Sequence, residues 1–384
     1  MIIRPSGKMQ SYFLQKMLSS PSYRAVIEGK AVGVTMMNLN VPIVSSLMIP
    51  LLPSALQDEY IAFVRQSDKS KFVVQTLRSK IPVASHDVLV NLWYNKARFE
   101  KTEEKTMPAT FSEQHVEDMV IKAIENNGWE YIPAAELPRA ESDVLVESYL
   151  REALIRLNPC IAETPSHADT VIYKLRALIS TVRPHDLVTQ NERFKKLVFE
   201  ENSFPFDKDG RSISIRFFDY DNLENNRFTV TNQWIYPQAA GGKRLDIVLL
   251  INGFPVAVGE MKTPVRPAIS WMDGAGDILD YEKSIPQMFV TNIFNFATEG
   301  KCFRYGSIGA PVTLWGPWYA DIAHEEGDLS KVQASIASMT RKDIILDLFR
   351  YFTLFSTDKR NRKIKIVCRY QQYEGANLII NRVK

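Results

Sequence analysis

One short stretch, from Lys243 to Lys262, constrains the fold of this chain more than any other. Two apolar runs rich in Val, Ile and Leu, LDIVLLI and FPVAVG, are separated only by Asn252 and Gly253. An Asn-Gly pair between two strand-like runs is among the strongest short-range signals for a β-hairpin. The sequence therefore predicts an antiparallel hairpin that folds back at Gly253.

Acidic side chains lie at the open end of this predicted hairpin. If the strands pair around Gly253, Asp246 lies opposite Glu260 on one face of the sheet, and Lys262 shares that face. Charged groups at the end of an apolar hairpin cost free energy unless something binds them. Carboxylate oxygens are ligands that Mg²⁺ prefers, and a lysine can orient or deprotonate a water and offset charge on a phosphate. The hairpin thus predicts a Mg²⁺ site for phosphodiester hydrolysis. The alternative is an exposed hairpin end with a cross-strand ion pair that contributes about 0.2–1 kcal/mol.

Composition narrows the class of protein. With 384 residues, 45% hydrophobic and 24% charged, the chain is an ordinary globular protein with room for two or three domains. Its net charge of +3 is too small to indicate a nucleic-acid partner without local clustering. Cys160, Cys302 and Cys368 are far apart and match no metal-ligand spacing, which indicates a reduced, cytoplasmic setting. No signal peptide or run of about 18 apolar residues occurs, so we expect no membrane partner.

The predicted elements place helices first and a mixed sheet second. A domain opens at Phe111 with a helix that Ser112 caps and that stops at Asn127 and Gly128. Further helices are predicted at about 142–157, 167–181, 186–199, 275–284 and 341–355. Strands are predicted from 212 to 221, in the NRFTVTNQWIYP segment, in the hairpin, and at 286–292 and 295–305, while 326–338 reads as irregular.

A basic segment near the end of the chain could contact phosphates. KRNRKIKIVCR, which begins at position 359, carries six basic residues and no acid. Such a segment suits a phosphate-contacting loop and strand, and it equally suits a solvated basic edge strand. The candidate DNA contacts are Lys359, Arg360, Arg362, Lys363 and Lys365.

From about Phe111 onward the chain resembles the N-terminal part of the restriction (R, HsdR-type) subunit of type I restriction enzymes. The resemblance rests on LDIVLLINGFPVAVGEMKTP, on SEQHVED with GWEY after it, on IRFFDYDNLENNRFTVTNQ and on IPQMFVTNIFNFATEGKCFRYG. It implies an α/β fold, a restriction-endonuclease-like mixed β-sheet flanked by helices, of the PD-(D/E)XK class. It also implies Mg²⁺-dependent cleavage of double-stranded DNA by Asp246, Glu260 and Lys262, in a complex with methylation and specificity subunits.

The resemblance implies roles for residues outside the hairpin. In metal-dependent nucleases that share this motif, a glutamate on the first helix often joins the metal ligands, which makes Glu113 and Glu117 candidates. The alternative is a pair of acids that complements the helix dipole. The family's Gln-x-x-x-Tyr motif corresponds to positions 277 to 281, where Tyr281 is retained as a catalytic candidate and Asp277 replaces Gln. That replacement leaves open a catalytically weak or inactive DNA-binding or assembly module.

Two further resemblances concern the flanks. Residues 1–80 resemble the end of a target-recognition domain of a type I specificity subunit, with Gly33, NLN at 38–40, Pro50 and Pro53 as matching positions. A linker is predicted at 81–110, the nuclease domain at 111–335, and a helix and basic strand at 336–384. RYQQYEGANLIINRV resembles the segment that precedes the helicase motor. Because no G-x-x-x-x-G-K-[ST] loop occurs, we expect a chain truncated before the translocase, with ATP used only by a full-length enzyme.

Overall fold

A computed structural model describes residues 112–206, 212–238, 241–266, 268–319 and 326–383, with only the backbone for 381–383. These residues belong to one compact unit, Lys105–Lys384. The specificity-subunit-like segment, at 1–80, and the linker, at 81–110, lie outside the described residues.

A six-stranded mixed sheet forms the centre of this unit, in the order β1-β4-β5-β6-β7-β8. The β1–β4 and β6–β7 pairs are parallel and the other neighbours are antiparallel. Two smaller two-stranded sheets, β2–β3 and β9–β10, stand apart from it. The strands of the described residues are β1 (Glu130–Tyr131), β2 (Ser203–Pro205), β3 (Ser212–Ser214), β4 (Phe228–Tyr236), β5 (Lys243–Ile251), β6 (Phe254–Met261), β7 (Phe294–Thr298), β8 (Phe303–Gly306), β9 (Thr353–Thr357) and β10 (Lys363–Val367).

Helices flank the sheet, as the predicted α/β class requires. They are α1 (Glu113–Glu125), α2 (Glu147–Leu157), α3 (Pro159–Glu163), α4 (His167–Ser180), α5 (Leu187–Phe199), α6 (Trp271–Ser284), α7 (Leu329–Met339), α8 (Lys342–Arg350) and α9 (Tyr370–Val383). Short 3-10 helices lie at Ala134–Glu136, Pro184–Asp186, Leu223–Asn225, Pro286–Phe289 and Val312–Leu314. Among the described residues, no helix has both the length and the apolar character needed to cross a membrane.

The predicted hairpin is the centre of the sheet, and its turn is the predicted one. Asn252 and Gly253 both have positive φ angles, 51° and 83°, as a two-residue hairpin turn of the primed type requires. The side chain of Asn252 is buried and its Nδ2 donates to the Phe217 carbonyl, 2.9 Å away. A Cβ on Gly253 would lie 2.3 Å from the Val146 carbonyl oxygen, so α2 packs directly on the turn. Only glycine fits both the conformation and the contact.

The strand register reaches the predicted alignment through a bulge. Next to the turn Ile251 pairs with Phe254, which is one residue away from symmetric pairing around Gly253. A register shift between Leu249 and Leu250 then brings Ile247 opposite Gly259. Asp246 precedes Ile247 and Glu260 follows Gly259, so the next pair in this antiparallel register brings the two acids opposite each other, as predicted.

Five predicted elements differ from the structure, and one of them is the predicted strand at 295–305, which forms the two strands β7 and β8. The predicted strand at 286–292 is wrong, because Pro286–Phe289 forms a 3-10 helix whose apolar side chains fill the core. The predicted irregular segment at 326–338 is wrong as well, because Asp328 accepts from the Ser330 N–H and caps α7. The strand predicted from 212 ends at Ser214, and the last predicted helix ends at Arg350 before β9 begins. Helix α7 also runs through the predicted domain boundary at 335.

Candidate active site

Asp246 and Glu260 lie side by side on the two central strands. Both are almost fully buried, with 5% and 2% of their surfaces exposed. The Met261 N–H donates to Asp246 Oδ2 (2.9 Å), and the Asp246 N–H points to Glu260 Oε1 (3.4 Å). Burial and the neighbouring Asp246 raise the pKa of Glu260 well above its ordinary value. Two acids this close need a cation or a shared proton.

Lys262 completes the group just beyond the end of β6. Its Nζ lies 3.6 Å from Glu260 Oε2 and 2.8 Å from Asp277 Oδ2. Burial acts to lower the pKa of Lys262, but the hydrogen bond with Asp277 and the charge of Glu260 outweigh it and raise the pKa. Lys262 is therefore an ammonium ion in this arrangement, suited to offset negative charge.

One face of α6 holds the ends of both strands together. Asp277, Asp280 and Tyr281 share this face because they are three or four residues apart. Asp280 forms an ion pair of 2.7 Å with Lys243 at the start of β5. The Tyr281 hydroxyl donates to the Arg244 carbonyl (3.2 Å), and burial, followed by the charge of Glu260, raises the pKa of that hydroxyl. Tyr281 thus fixes the backbone beside Asp246.

The two candidate glutamates of α1 have different environments. Glu117 is buried, and its two carboxylate oxygens accept hydrogen bonds from Asn232 and Gln233, each at 2.7 Å. Glu113 lines the same pocket as Asp246, and burial is the main cause of its raised pKa. The geometry therefore favours Glu113 as the glutamate that faces the acids.

Sequence reasoning missed the partners of Glu117. Asn232 and Gln233 are neighbours on β4, and Gln233 lies across from Asp246 with a positive φ of 54°. The signal in the sequence is a polar pair between the apolar residues of a predicted strand. It did not reveal that both side chains point at α1.

An open pocket of about 350 Å³ surrounds this group. Its lining carries five carboxylates and three cations, and it is mostly polar. The residues are Glu113, Gly242, Lys243, Arg244, Asp246, Glu260, Lys262, Asp277, Asp280 and Tyr281. The structure thus brings Asp246, Glu260, Lys262, Tyr281 and Glu113 to one place.

The donor set fits a hydrated Mg²⁺ better than an enclosed metal. Within the described parts of the chain, no group of three or more His, Cys, Asp or Glu is placed to hold a metal ion. Mg²⁺ is commonly bound by one or two carboxylates and keeps several waters. Asp246 and Glu260 supply such a pair, and the open pocket leaves room for waters and a phosphate.

The predicted basic segment forms β10 and the turn before it. Lys359 and Arg360 are exposed in this turn. Arg362 pairs with Asp358 (2.8 Å) and Lys363 pairs with Glu192 (2.7 Å). Two of the five predicted DNA contacts are therefore already engaged with carboxylates of the protein.

Lys365 is enclosed rather than exposed. Only 4% of its surface is accessible, and its Nζ donates to the Asn292 carbonyl at 2.5 Å. Burial is the main reason that the pKa of Lys365 is lowered well below its ordinary value. This position removes Lys365 from the set of predicted phosphate contacts, because the ammonium cannot reach a ligand on the surface. The alternating pattern of β10 turns Lys365 inward, and the basic run alone did not reveal that.

Comparisons with known proteins identify the family of this chain. The family model described as "Type I restriction enzyme R protein N terminus" matches residues 110–311. The chain is 30% identical over 281 residues to the type I restriction enzyme HindI endonuclease subunit of Haemophilus influenzae, which covers 69% of this chain and 26% of that protein. It is 24% identical over 281 residues to a protein of Methanocaldococcus jannaschii described as a type I restriction enzyme MjaVIIIP endonuclease subunit, covering 71% and 25%.

The chain spans about a quarter of the length of these relatives. The family predicted from the sequence is confirmed for the region that begins near Phe111, while the specificity-subunit likeness of residues 1–80 stays a prediction. The family model alone covers more than half of the chain. This chain belongs to the type I restriction enzyme R protein family, whose N-terminal region it matches.

Proposed function

We propose that this chain carries a Mg²⁺-dependent endonuclease domain of the PD-(D/E)XK class that hydrolyses phosphodiester bonds of double-stranded DNA. The observation that carries the proposal is the pairing of Asp246 with Glu260 at the edge of an open, polar pocket, with Lys262 beside them. Membership in the R protein family supports it, and so do relatives named as endonuclease subunits.

Each residue of the pocket has a part in this chemistry. Asp246 and Glu260 would hold the metal. Glu113 lines the same pocket and would face a water on that metal rather than the metal itself. A bound Mg²⁺ supplies Lewis-acid chemistry, which activates a water and polarises a phosphoryl oxygen. The Lys262 ammonium offsets negative charge that develops on the phosphate. Tyr281 positions β5 through its bond to the Arg244 carbonyl.

The proposal also assigns partners. The family implies a complex with the methylation and specificity subunits of a type I restriction-modification system, bound to duplex DNA. ATP-driven translocation belongs to a full-length enzyme with its motor. Within this proposal the chain contributes the cutting centre.

A second function, a DNA-binding or assembly module with weak or no cleavage, is favoured by one observation. Asp277 stands where the resembled family has Gln, and its carboxylate is 2.8 Å from Lys262 Nζ. The ion pair neutralises the ammonium that would otherwise face a phosphate. Under this second function the pocket binds DNA and the scissile bond stays intact.

A plasmid-nicking assay with Mg²⁺ separates the two functions. We expect the wild-type chain to nick supercoiled DNA and Glu260→Ala to lose at least about 100-fold of that activity, because it removes a metal ligand. Glu201→Ala, at an exposed site outside the pocket, serves as the matched control and should nick like the wild type. Equal nicking by the wild type and Glu260→Ala would eliminate these assignments.

Two further measurements complete the comparison. Calorimetric titration with Mg²⁺ should show binding to the wild type and none to Asp246→Ala. An inactive wild type that binds Mg²⁺ and gains activity on Asp277→Gln would support the second function.

A further inference from the structure

The three cations of the pocket are not equivalent. Lys262 is paired with Asp277 at 2.8 Å, and Lys243 is paired with Asp280 at 2.7 Å. Both acids come from the same face of α6. The helix therefore supplies a carboxylate to each lysine, so each lysine brings less unbalanced positive charge to an incoming anion than an unpaired cation would. Arg244 is the third cation.

Arg244 has no such partner. It is exposed, and within the described ranges no carboxylate lies within ion-pair distance of its guanidinium. Arg244 is two residues before Asp246 on β5, so both side chains leave the same face of the sheet. The hydrogen bond from Tyr281 to its carbonyl fixes the backbone from which the side chain extends. The guanidinium is thus anchored at its base and open at its tip.

A phosphate needs a cation at this place. Five carboxylates line the pocket, and they repel a phosphodiester unless positive charge offsets them. A guanidinium presents a planar fork of donors that matches two phosphate oxygens and stays protonated at every working pH. We propose that Arg244 binds a phosphate of the DNA strand that is cut, next to the phosphate that a metal on Asp246 and Glu260 would take. This inference rests on the proposed function and adds a substrate-contacting residue to it.

Binding of a fluorescein-labelled DNA duplex, followed by anisotropy in EDTA over a series of salt concentrations, tests Arg244 without any metal. We expect Arg244→Ala to weaken binding about tenfold or more, because a charge-assisted contact is lost. The slope of log affinity against log salt should fall by about 0.9, the value for one phosphate. Arg244→Lys should keep the slope and recover only part of the affinity, since lysine lacks the fork. An Arg244→Ala chain with wild-type affinity and slope would overturn the inference.

The control is Arg183→Ala, an exposed arginine outside the pocket, which should match the wild type in affinity and slope. A nicking assay with Mg²⁺ then distinguishes failure of the Arg244 assignment from failure of the proposed function. If Arg244→Ala binds and nicks as the wild type does, the assignment of Arg244 fails and the proposed function stands. If the wild type neither binds nor nicks DNA, the proposed function fails and the Arg244 assignment fails with it.

Discussion

Two groups of residues with buried carboxylates lie on opposite sides of α6 and include residues of that helix, and they differ in how the carboxylates are satisfied. In the pocket, Glu260 faces Asp246 and the open space around them. Behind the helix, Glu282 accepts hydrogen bonds from Asn295 Nδ2 (3.1 Å) and from the Gly309 N–H (2.9 Å). Two more buried hydrogen bonds extend this group: Asn292 Nδ2 donates to Asn295 Oδ1, and Lys365 Nζ donates to the Asn292 carbonyl. We call this second group, Glu282, Asn295, Asn292 and Lys365, the closed network.

Glu260 and Glu282 are two different kinds of buried acid. Burial is the first cause of a raised pKa in both, well above the ordinary value for Glu260 and to about 7 for Glu282. A perturbed acid beside a like charge in an open pocket is typical of a functional site. An acid whose oxygens are both bonded within the protein is a structural element. The raised pKa is therefore common to both acids, and only the hydrogen-bond partners distinguish the acid of the candidate site from the structural one.

The largest expected effect is on stability at the closed network. Lys365→Ala should lower the free energy of unfolding by about 2–5 kcal/mol, because it leaves a cavity and removes one of the two hydrogen bonds to the Asn292 carbonyl, the other coming from Asn191 Nδ2. Lys363→Ala, two residues away on β10, removes only a surface ion pair with Glu192 and should cost about 1 kcal/mol or less. Urea unfolding of both variants measures the difference. Equal urea midpoints for Lys365→Ala and Lys363→Ala would show that the closed network contributes no more to stability than the surface ion pair does.

A second, pH-dependent effect comes from Glu282. Its pKa is raised from 4.5 to about 7 in the folded state, so between these values the folded chain keeps a proton that the unfolded chain has released. The stability associated with this proton is complete below about pH 4.5 and is lost as pH rises through about 7. The loss amounts to about 3 kcal/mol, which Glu282→Gln should abolish.

The measurement is the change in unfolding free energy from pH 5 to pH 8, compared between variants. The charges of Lys365 and Lys283 act on Glu282, and the charge of Lys195 acts on Lys365. Only the difference between the wild type and Glu282→Gln therefore isolates the contribution of Glu282. Glu201→Gln, at an exposed site, should change with pH as the wild type does. An unchanged pH dependence in Glu282→Gln would show that its carboxyl group is not protonated in the fold.

Local patterns predicted the pocket better than they predicted the network. The Asn-Gly turn correctly predicted the hairpin, but the register next to the turn would by itself place Asp246 opposite Gly259. The bulge near Leu250 shifts the register by one residue and brings Asp246 opposite Glu260, as predicted, although no pattern in the sequence indicated the bulge. The Ser112 cap likewise marked the start of α1, because capping depends on nearby residues.

Long-range contacts account for what the sequence did not show. Lys365 reads as part of a basic surface because its partner, Asn292, is 73 positions away. Glu117 reads as a possible metal ligand until β4 places Asn232 and Gln233 against it. The apolar run after Pro286 suits a buried strand or a buried turn equally, and only packing decides between them.

The smallest expected effect concerns α6, the helix that contributes residues to both groups. Gly274 and Gly276 both lie in α6, where alanine ordinarily stabilises a helix by about 1 kcal/mol. A Cβ on Gly276 meets nothing within 4 Å, whereas a Cβ on Gly274 would lie 3.2 Å from the Cβ and the carbonyl oxygen of Glu260. Gly276→Ala should therefore gain most of that stability, and Gly274→Ala should gain little or none.

The same pair tests whether the pocket depends on close packing of α6. To accept the Gly274→Ala methyl, the helix or Glu260 must move by a few tenths of an ångström, which alters the Lys262–Asp277 and Tyr281 contacts. We expect Gly274→Ala to nick plasmid several-fold more slowly than Gly276→Ala, while the pH dependence due to Glu282 stays the same in both. If the two alanine variants nick equally, close approach of α6 does not set the geometry of the acids. The pocket would then depend on the hairpin alone.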